Sequence, residues 1–409
     1  MIKKSISRVF IVIVSIALLQ ILGTIILARN LTKDEMGLFR IILTIVDLGS
    51  LSCLAGMDHA FVRFFSSPGV SFKEYNWKSF LKKLSGLSLL ILILGTLVIE
   101  GFFHLKPFVV AGTVAAIAML AVVQMLAACS RAQQKYELAI TFSRLHFVVF
   151  FIILLFLQHG GKLTFHNVIL GFLIAVLAAL VAVATTWGSR ALSGKIPIPV
   201  SVVKNGFYYF GIGFSTLLLL QFNYLLIGKM LSYRALAVYS VTASVMRLFE
   251  FIQDATYYIL APHLNKSMRL PAQKIFVRLF GVGLLAALFY VFFGQALIHF
   301  LLKGRYDEGF YLLPFFIITG VLRILYVVPV SLIGGRSSEA TLRNQFRIII
   351  VAVILNIGLS YAFIRLWGLA GAAGASIIIW ALLLGATIIG TKHDFIQTEE
   401  ADFAATSSS

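Results

Sequence analysis

Twelve apolar stretches, each close to the length of a membrane span, follow one another along this chain. They lie at 9–28, 38–62, 84–103, 108–128, 142–157, 168–187, 207–227, 236–258, 276–301, 310–333, 346–364 and 369–391. About 20 residues of α-helix cross the roughly 30 Å hydrocarbon core of a bilayer. Because a backbone in lipid must satisfy its own hydrogen bonds, each stretch is predicted to be a helix. The fold class is therefore all-α integral membrane, with 12 transmembrane helices.

The composition agrees with this class. Hydrophobic residues make up 60% of the chain, charged residues only 12%, and the mean hydropathy is +0.97. Soluble domains are usually about 45–50% apolar and about 25% charged. The first apolar stretch follows a basic start, but at about 20 residues it is long enough to be an uncleaved span rather than a signal peptide.

The basic residues set the expected orientation. The net charge is +18, and 22 of the 34 Lys and Arg residues fall on the side of the membrane that holds the N-terminus. Since cytoplasmic loops carry the excess of Lys and Arg, both termini are predicted to be cytoplasmic. This asymmetry, with contacts to anionic headgroups, accounts for most of the charge, so nucleic acid is not an expected partner.

An internal repeat divides the chain. The segment "ARNLTKDEMGLFRIILTIVDL" (28–48) aligns without a gap on "GKMLSYRALAVYSVTASVMRL" (228–248), which places Thr32 over Ser232. The offset of 200 residues predicts two parallel six-helix bundles around a central cavity, with a substrate site near the midplane. The predicted domains are an N-terminal bundle (1–187), a cytoplasmic linker (188–206), a C-terminal bundle (207–391) and a cytoplasmic tail (392–409).

A few charged side chains fall inside predicted spans. Arg247, Arg323 and Asp47 lie near the midplane, where a charge costs about 2.5–3.5 kcal/mol. On a continuous helix, Glu250 and Asp254 would share one face with Arg247. The uncharged polar residues that could join them in a cavity are Gln20, Gln124, Gln221, Asn223 and Asn356, of which Gln20, Gln221, Asn223 and Asn356 are predicted to bind substrate.

Two interpretations of these charges stay open. Arg247 and Glu250 could neutralise each other, and Asp47 could do the same for Arg323, so that the charges only fix helix packing. Alternatively, they line a polar cavity. In that case two arginines that cannot deprotonate suit an anionic group such as a phosphate, and Asp47, Glu250 and Asp254 are candidates to bind a coupling proton or sodium ion. No metal or cofactor site is predicted.

Several patches together resemble the polysaccharide transporter family. They are "LARNLTKDEMGLFRI" and "GMDHAFVRFF" around the second span, "LAVYSVTASV" with "LAPHL" in the eighth, "LLKGRYDEGFYLLP" (301–314) and "LNIGLSYAFIRLWGLAGAAGAS" (355–376). This family includes the flippases for O-antigen and capsule repeat units and belongs to the multidrug/oligosaccharidyl-lipid/polysaccharide exporter superfamily. The similarity extends over essentially the whole chain.

The resemblance implies a flippase, not an enzyme. Such a protein moves undecaprenyl-pyrophosphate-linked oligosaccharides across the bacterial inner membrane by alternating access, for lipopolysaccharide or other polysaccharide biosynthesis. Arg247 and Arg323 fit the cavity arginines typical of these flippases, and a polysaccharide polymerase and a chain-length regulator are the implied partners. The alternatives are a cation-coupled drug exporter of the same superfamily, a membrane-embedded polymerase or ligase, and a structural scaffold.

Overall fold

A computed structural model describes residues 2–65, 74–103, 105–133, 135–187, 196, 198–265, 272–336 and 339–390 of the chain. These residues form helices and turns, with one isolated backbone bridge between Tyr75 and Ile196. The helices are α1 (Ile2–Asn30), α2 (Lys33–Leu54), α3 (Met57–Phe65), α4 (Trp77–Phe103), α5 (Pro107–Ala132), α6 (Tyr136–His159), α7 (Phe165–Trp187), α8 (Val200–Met230), α9 (Tyr233–Val245), α10 (Leu248–Asn265), α11 (Ala272–Leu302), α12 (Leu313–Arg336) and α13 (Glu339–Gly390), with a short 3-10 helix at Asp307–Leu312.

The prediction of an all-α membrane fold with 12 spans is confirmed. In the described part of the chain, nine helices are long and apolar enough to cross a membrane, and the bent pair α9–α10 gives a tenth span. The apolar part of α13 runs for 48 residues, which at 1.5 Å per residue is about twice the thickness of the hydrocarbon core. It therefore supplies two spans, separated where Gly368 leaves the helical conformation (φ 59°, ψ −133°). The shorter apolar segment of α1, Val14–Asn30, completes the set.

The chain forms two compact units, Met1–Gln221 and Phe222–Ser409. In the first unit, α5 packs against α2, α3, α6 and α7, and α1 packs against α6. In the second, α12 packs against α10, α11 and α13. The boundary between the two units falls within α8, and the predicted domain bounds stay a prediction. The linker itself stays a prediction, since residues 188–195, 197 and the tail 392–409 lie outside the described part.

Equivalent residues of the internal repeat begin equivalent helices. The Thr32 hydroxyl accepts a hydrogen bond from the Glu35 N–H (3.2 Å), and the Glu35 carboxylate accepts one from the Thr32 N–H (2.9 Å). The Ser232 hydroxyl accepts in the same way from the Ala235 N–H (3.0 Å). Each cap satisfies a backbone donor that the first helical turn leaves unpaired. The pairing of Thr32 with Ser232 in the sequence alignment therefore has a structural counterpart at the starts of α2 and α9.

Two of the predicted spans are broken helices rather than continuous ones. The second span ends as α2 at Leu54, passes through Ala55 (φ 46°) and Gly56 (φ 72°), and resumes as α3. The eighth span is interrupted at residues 246–247, where α9 and α10 meet at a bend of 57°. Hydropathy alone does not register a change in backbone direction inside an apolar stretch. The second break decides the geometry of the candidate site.

Candidate functional site

The bend between α9 and α10 places Arg247 outside regular helix. The Arg247 N–H donates to the Ser244 carbonyl at 3.3 Å, and α10 begins at the next residue. The expectation that Arg247, Glu250 and Asp254 share one face of a continuous helix is therefore wrong. Glu250 lies in the first turn of α10, where a carboxylate is favoured by the helix dipole. Arg247 lies in the turn just before α10, and its side chain is close to this carboxylate.

Glu250 pairs with two arginines at once. The Nη1 atom of Arg323, on α12, donates to Glu250 Oε1 at 3.0 Å. Arg247 Nε lies 3.9 Å from Glu250 Oε2. The arginine side chains are 18% (Arg247) and 16% (Arg323) exposed, against 42% for Glu250. Two largely buried cations thus share one accessible carboxylate, and the trio Arg247–Glu250–Arg323, called here the arginine cluster, has a formal charge of +1.

Trp380 of α13 lies against one guanidinium of the arginine cluster. Arg323 Cζ lies 5.6 Å from the centre of the buried Trp380 ring, a cation–π distance. Tyr326 packs edge-on against the same ring, with the ring centres 5.4 Å apart. Arg323 Nε is buried and finds no acceptor among the described residues. Buried donors are nearly always satisfied, so this N–H is available to a bound acceptor.

A second polar group lies in the other unit, on α2 and α8. Gln221 accepts hydrogen bonds at Oε1 from Arg40 Nη2 (3.0 Å) and from the Thr44 hydroxyl (3.2 Å). Its amide Nε2 donates to Asp47 Oδ2 at 3.5 Å. Arg40 is not among the site residues predicted from the sequence. The signal that identifies it is the i, i+4, i+7 spacing of Arg40, Thr44 and Asp47, which puts all three on one face of α2.

The structure does not gather the remaining predicted residues into either group. Asn223 Nδ2 donates to the Ala372 carbonyl (3.1 Å) and to the Ser376 hydroxyl (2.9 Å), which ties α8 to α13. Asn356 is buried within α13, and its Oδ1 accepts from the Ser360 hydroxyl at 3.2 Å. The roles of these residues, and of Gln20 on α1 and Asp254 on α10, stay predictions. Among the described residues, no group of three His, Cys, Asp or Glu side chains is arranged to hold a metal ion.

Comparison with known proteins gives a fold and no family assignment. No protein-family model matches the sequence, and no curated protein matches it. Among solved structures, the lipid II flippase MurJ in an inward closed conformation has a TM-score of 0.69 at 14% identity, over 95% of this chain and 89% of that one. An inward-facing multidrug resistance MATE family transporter of the MOP superfamily has a TM-score of 0.64 at 13% identity, over 98% and 99% of the two chains.

A third neighbour extends the comparison to a ligand complex. The MATE multidrug transporter DinF-BH, solved in complex with a ligand, has a TM-score of 0.62 at 14% identity, over 96% of each chain. These likenesses show that the chain shares the fold of these three proteins. At this level of identity, the fold by itself does not separate a lipid flippase from a drug exporter.

Proposed function

We propose that this protein is a flippase that translocates undecaprenyl-pyrophosphate-linked oligosaccharide repeat units across the inner membrane by alternating access. The observation that carries the proposal is the arginine cluster, in which two largely buried guanidinium groups share one carboxylate. A pyrophosphate presents several anionic oxygens, and the fork of an arginine pairs with such oxygens two at a time. A lone cation-binding carboxylate would not need two arginines beside it.

The cluster supports binding of an anion by exchange. Glu250 is the more exposed partner, so it can leave Arg323 while the two arginines stay in place. The pyrophosphate then takes over the Nη1 donor and also reaches the unsatisfied Arg323 Nε. Trp380 holds the guanidinium plane during the exchange. The sugar would cross in the polar part of the protein, while the polyprenyl tail stays in lipid.

The proposal carries over the remaining expectations from the sequence. It places the protein in the bacterial inner membrane with both termini in the cytoplasm, as the distribution of Lys and Arg indicates. It assigns Gln20, Gln221, Asn223 and Asn356 to the substrate pathway, and Asp47, Glu250 and Asp254 to a coupling ion. A polymerase and a chain-length regulator are its proposed partners. MurJ, which shares the fold, is by its name a flippase of a lipid substrate.

A cation-coupled drug exporter is the second candidate. It is favoured by the 42% exposed carboxylate of Glu250, which an organic cation could approach, and by the fold shared with multidrug transporters. The charge of the arginine cluster opposes it, because a +1 site repels a cationic drug. An enzyme such as a polymerase or ligase is less well supported, since the structural neighbours are transporters.

Competition during transport separates the two candidates. The wild-type protein is reconstituted into liposomes with a fluorescent undecaprenyl-pyrophosphate-linked oligosaccharide, and flipping is followed by quenching of the outer leaflet. Excess of a short-chain pyrophosphate diester is expected to inhibit flipping, and a cationic dye is expected to have little effect. Transport of the dye itself, with no flipping of the oligosaccharide, would contradict the proposal and favour the exporter.

A further inference from the structure

A relayed ion pair joins α2 to α8 in the first unit. Arg40 and Asp47 lie two helical turns apart on α2, and Gln221 of α8 is hydrogen-bonded to both of them. We propose that Arg40, Thr44 and Gln221 form an anion site of the first unit, which fills when Asp47 takes up a proton. This inference rests on the proposed function, in that the anion is the pyrophosphate group of the transported lipid.

The orientation of the Gln221 amide is set by the charges at its two ends. Its carbonyl oxygen accepts from two donors, the Arg40 guanidinium and the Thr44 hydroxyl, while its NH2 group donates to the Asp47 carboxylate. A flipped amide would direct its NH2 group at two donors and its oxygen at an anion. This orientation therefore suits the two donors at one end and the carboxylate oxygen at the other, and it holds the Arg40 Nη2 donor in an internal bond.

The described hydrogen bonds connect Asp47 to the charged side chain of Arg40 through Gln221. The other described charged side chains of α2 and of the helices packed against it lie near helix ends. They are Arg29 on α1; Lys33, Asp34 and Glu35 on α2; Lys82 and Glu100 on α4; and Arg131 on α5.

Protonation of Asp47 weakens this arrangement in two ways. The hydrogen bond from Gln221 loses its charge assistance, and charge-assisted bonds are roughly twice as strong as neutral ones. The group also changes from a formal charge of zero to +1, because arginine keeps its proton. An anion can then displace the Gln221 carbonyl from Arg40 Nη2 and accept from the Thr44 hydroxyl.

The proposed exchange is balanced in protons. One proton passes from solution to the Asp47 carboxylate when the anion binds, and the same proton leaves when the anion departs. By linkage, anion binding and protonation of Asp47 favour each other to the same extent. Gln221 is a positioning residue here, since it transmits the protonation state of Asp47 to Arg40.

Proton uptake on binding tests the relay. The probe is a pyrophosphate diester that carries one sugar and a short isoprenyl chain, because a diester does not itself titrate between pH 6 and 8. Titration calorimetry in buffers of different ionisation enthalpy counts the protons taken up by the full-length protein. Wild type is expected to take up a net amount of up to one proton per probe and to bind more tightly at pH 6 than at pH 8, by a factor within the usual range of coupling between sites.

Three variants make the test specific. Asp47→Asn is expected to bind more tightly than wild type at pH 8, without proton uptake. Gln221→Leu is expected to lose the proton uptake while retaining Asp47. The matched control is Gln158→Leu, since Gln158 is an exposed residue of α6 outside the relay, and it is expected to behave as wild type. Binding with full proton uptake in Gln221→Leu would overturn the inference and leave the proposed function standing.

Failure of wild type to bind the probe would contradict the proposed function. A measurement without substrate tests the relay in that case. Phenylglyoxal labelling of Arg40, quantified by mass spectrometry at one pH, is expected to rise several-fold in Asp47→Asn, because the guanidinium loses its held acceptor. Labelling of the exposed Arg365 is the internal reference. Equal labelling of Arg40 in wild type and Asp47→Asn would overturn the relay, whatever the substrate.

Discussion

Replacing Arg323 with alanine is expected to slow flipping of the lipid-linked oligosaccharide about 100-fold. The substitution removes the Nη1 donor now bonded to Glu250 and the buried Nε that has no described acceptor. Hydrogen bonds to charged groups contribute about 1.5–3 kcal/mol each, and about 1.4 kcal/mol corresponds to a factor of ten. Loss of two such bonds to the pyrophosphate gives a reduction of this size. Flipping is measured in proteoliposomes at matched protein content.

A conservative variant and a distant arginine serve as controls for this substitution. Arg323→Lys is expected to fall between wild type and alanine, because lysine keeps the charge but loses the fork and the stacking on Trp380. Arg365→Ala removes an exposed arginine of α13 and is expected to flip normally. Normal flipping by a folded Arg323→Ala protein would show that this arginine only holds helices together, which is the alternative left open by the sequence.

Replacing Gly56 with alanine is expected to prevent correct folding of the first unit. Gly56 has φ +72°, a conformation that residues with a Cβ rarely adopt. A Cβ at this position would also overlap the backbone of α8, at the Gly206 carbonyl oxygen and the Phe210 nitrogen. Since a backbone cannot move aside as a flexible side chain can, the turn between α2 and α3 and the packing of α8 would both be lost. The yield of monodisperse protein after detergent extraction measures the effect.

Gly86 is the matched control for Gly56. It lies inside α4, and a Cβ added there would meet nothing within 4 Å. Alanine is a better helix former than glycine by about 0.8–1 kcal/mol, so Gly86→Ala is expected to leave the yield unchanged or to improve it. Normal extraction of Gly56→Ala, with an unchanged melting temperature, would contradict the close approach of α8 to the turn.

Spans could be predicted from the sequence because their signal is carried by many residues at once. A run of about 20 apolar residues identifies a membrane helix even when its ends are uncertain. The repeat was detectable for the same reason, and the caps at Thr32 and Ser232 agree with it. The break in α13 was also predicted, between residues 364 and 369, and it falls at Gly368.

The two other breaks depend on single residues and were missed. The first break depends on the positive φ of one residue, Gly56. The bend before Leu248 contains no glycine or proline that would indicate a break in the helix. That bend explains why the charged stripe was wrong while the pairing of Arg247 with Glu250 was right. Spacing along the chain also could not show that Arg323 is the closer partner of Glu250, because 73 residues separate the two.

Arg40 shows a different limit of sequence reasoning. It lies only two residues inside the second predicted stretch, and a charge at that position is usually assigned to the membrane surface, where it can reach water. The structure instead bonds it to Gln221, a residue 181 positions away. Its partner could not be inferred from spacing along α2 alone, although the shared face with Asp47 was visible in the sequence.

Binding of the pyrophosphate diester to Glu250→Gln tests the central claim, that the arginine cluster is an anion site with its own counterion. The substitution removes the charge that competes for both arginines but keeps the shape of the side chain. An anion site predicts that the probe binds about tenfold more tightly than to wild type, as expected when roughly 1.4 kcal/mol of competition is relieved. Unchanged or weaker binding by a folded Glu250→Gln protein would contradict the claim.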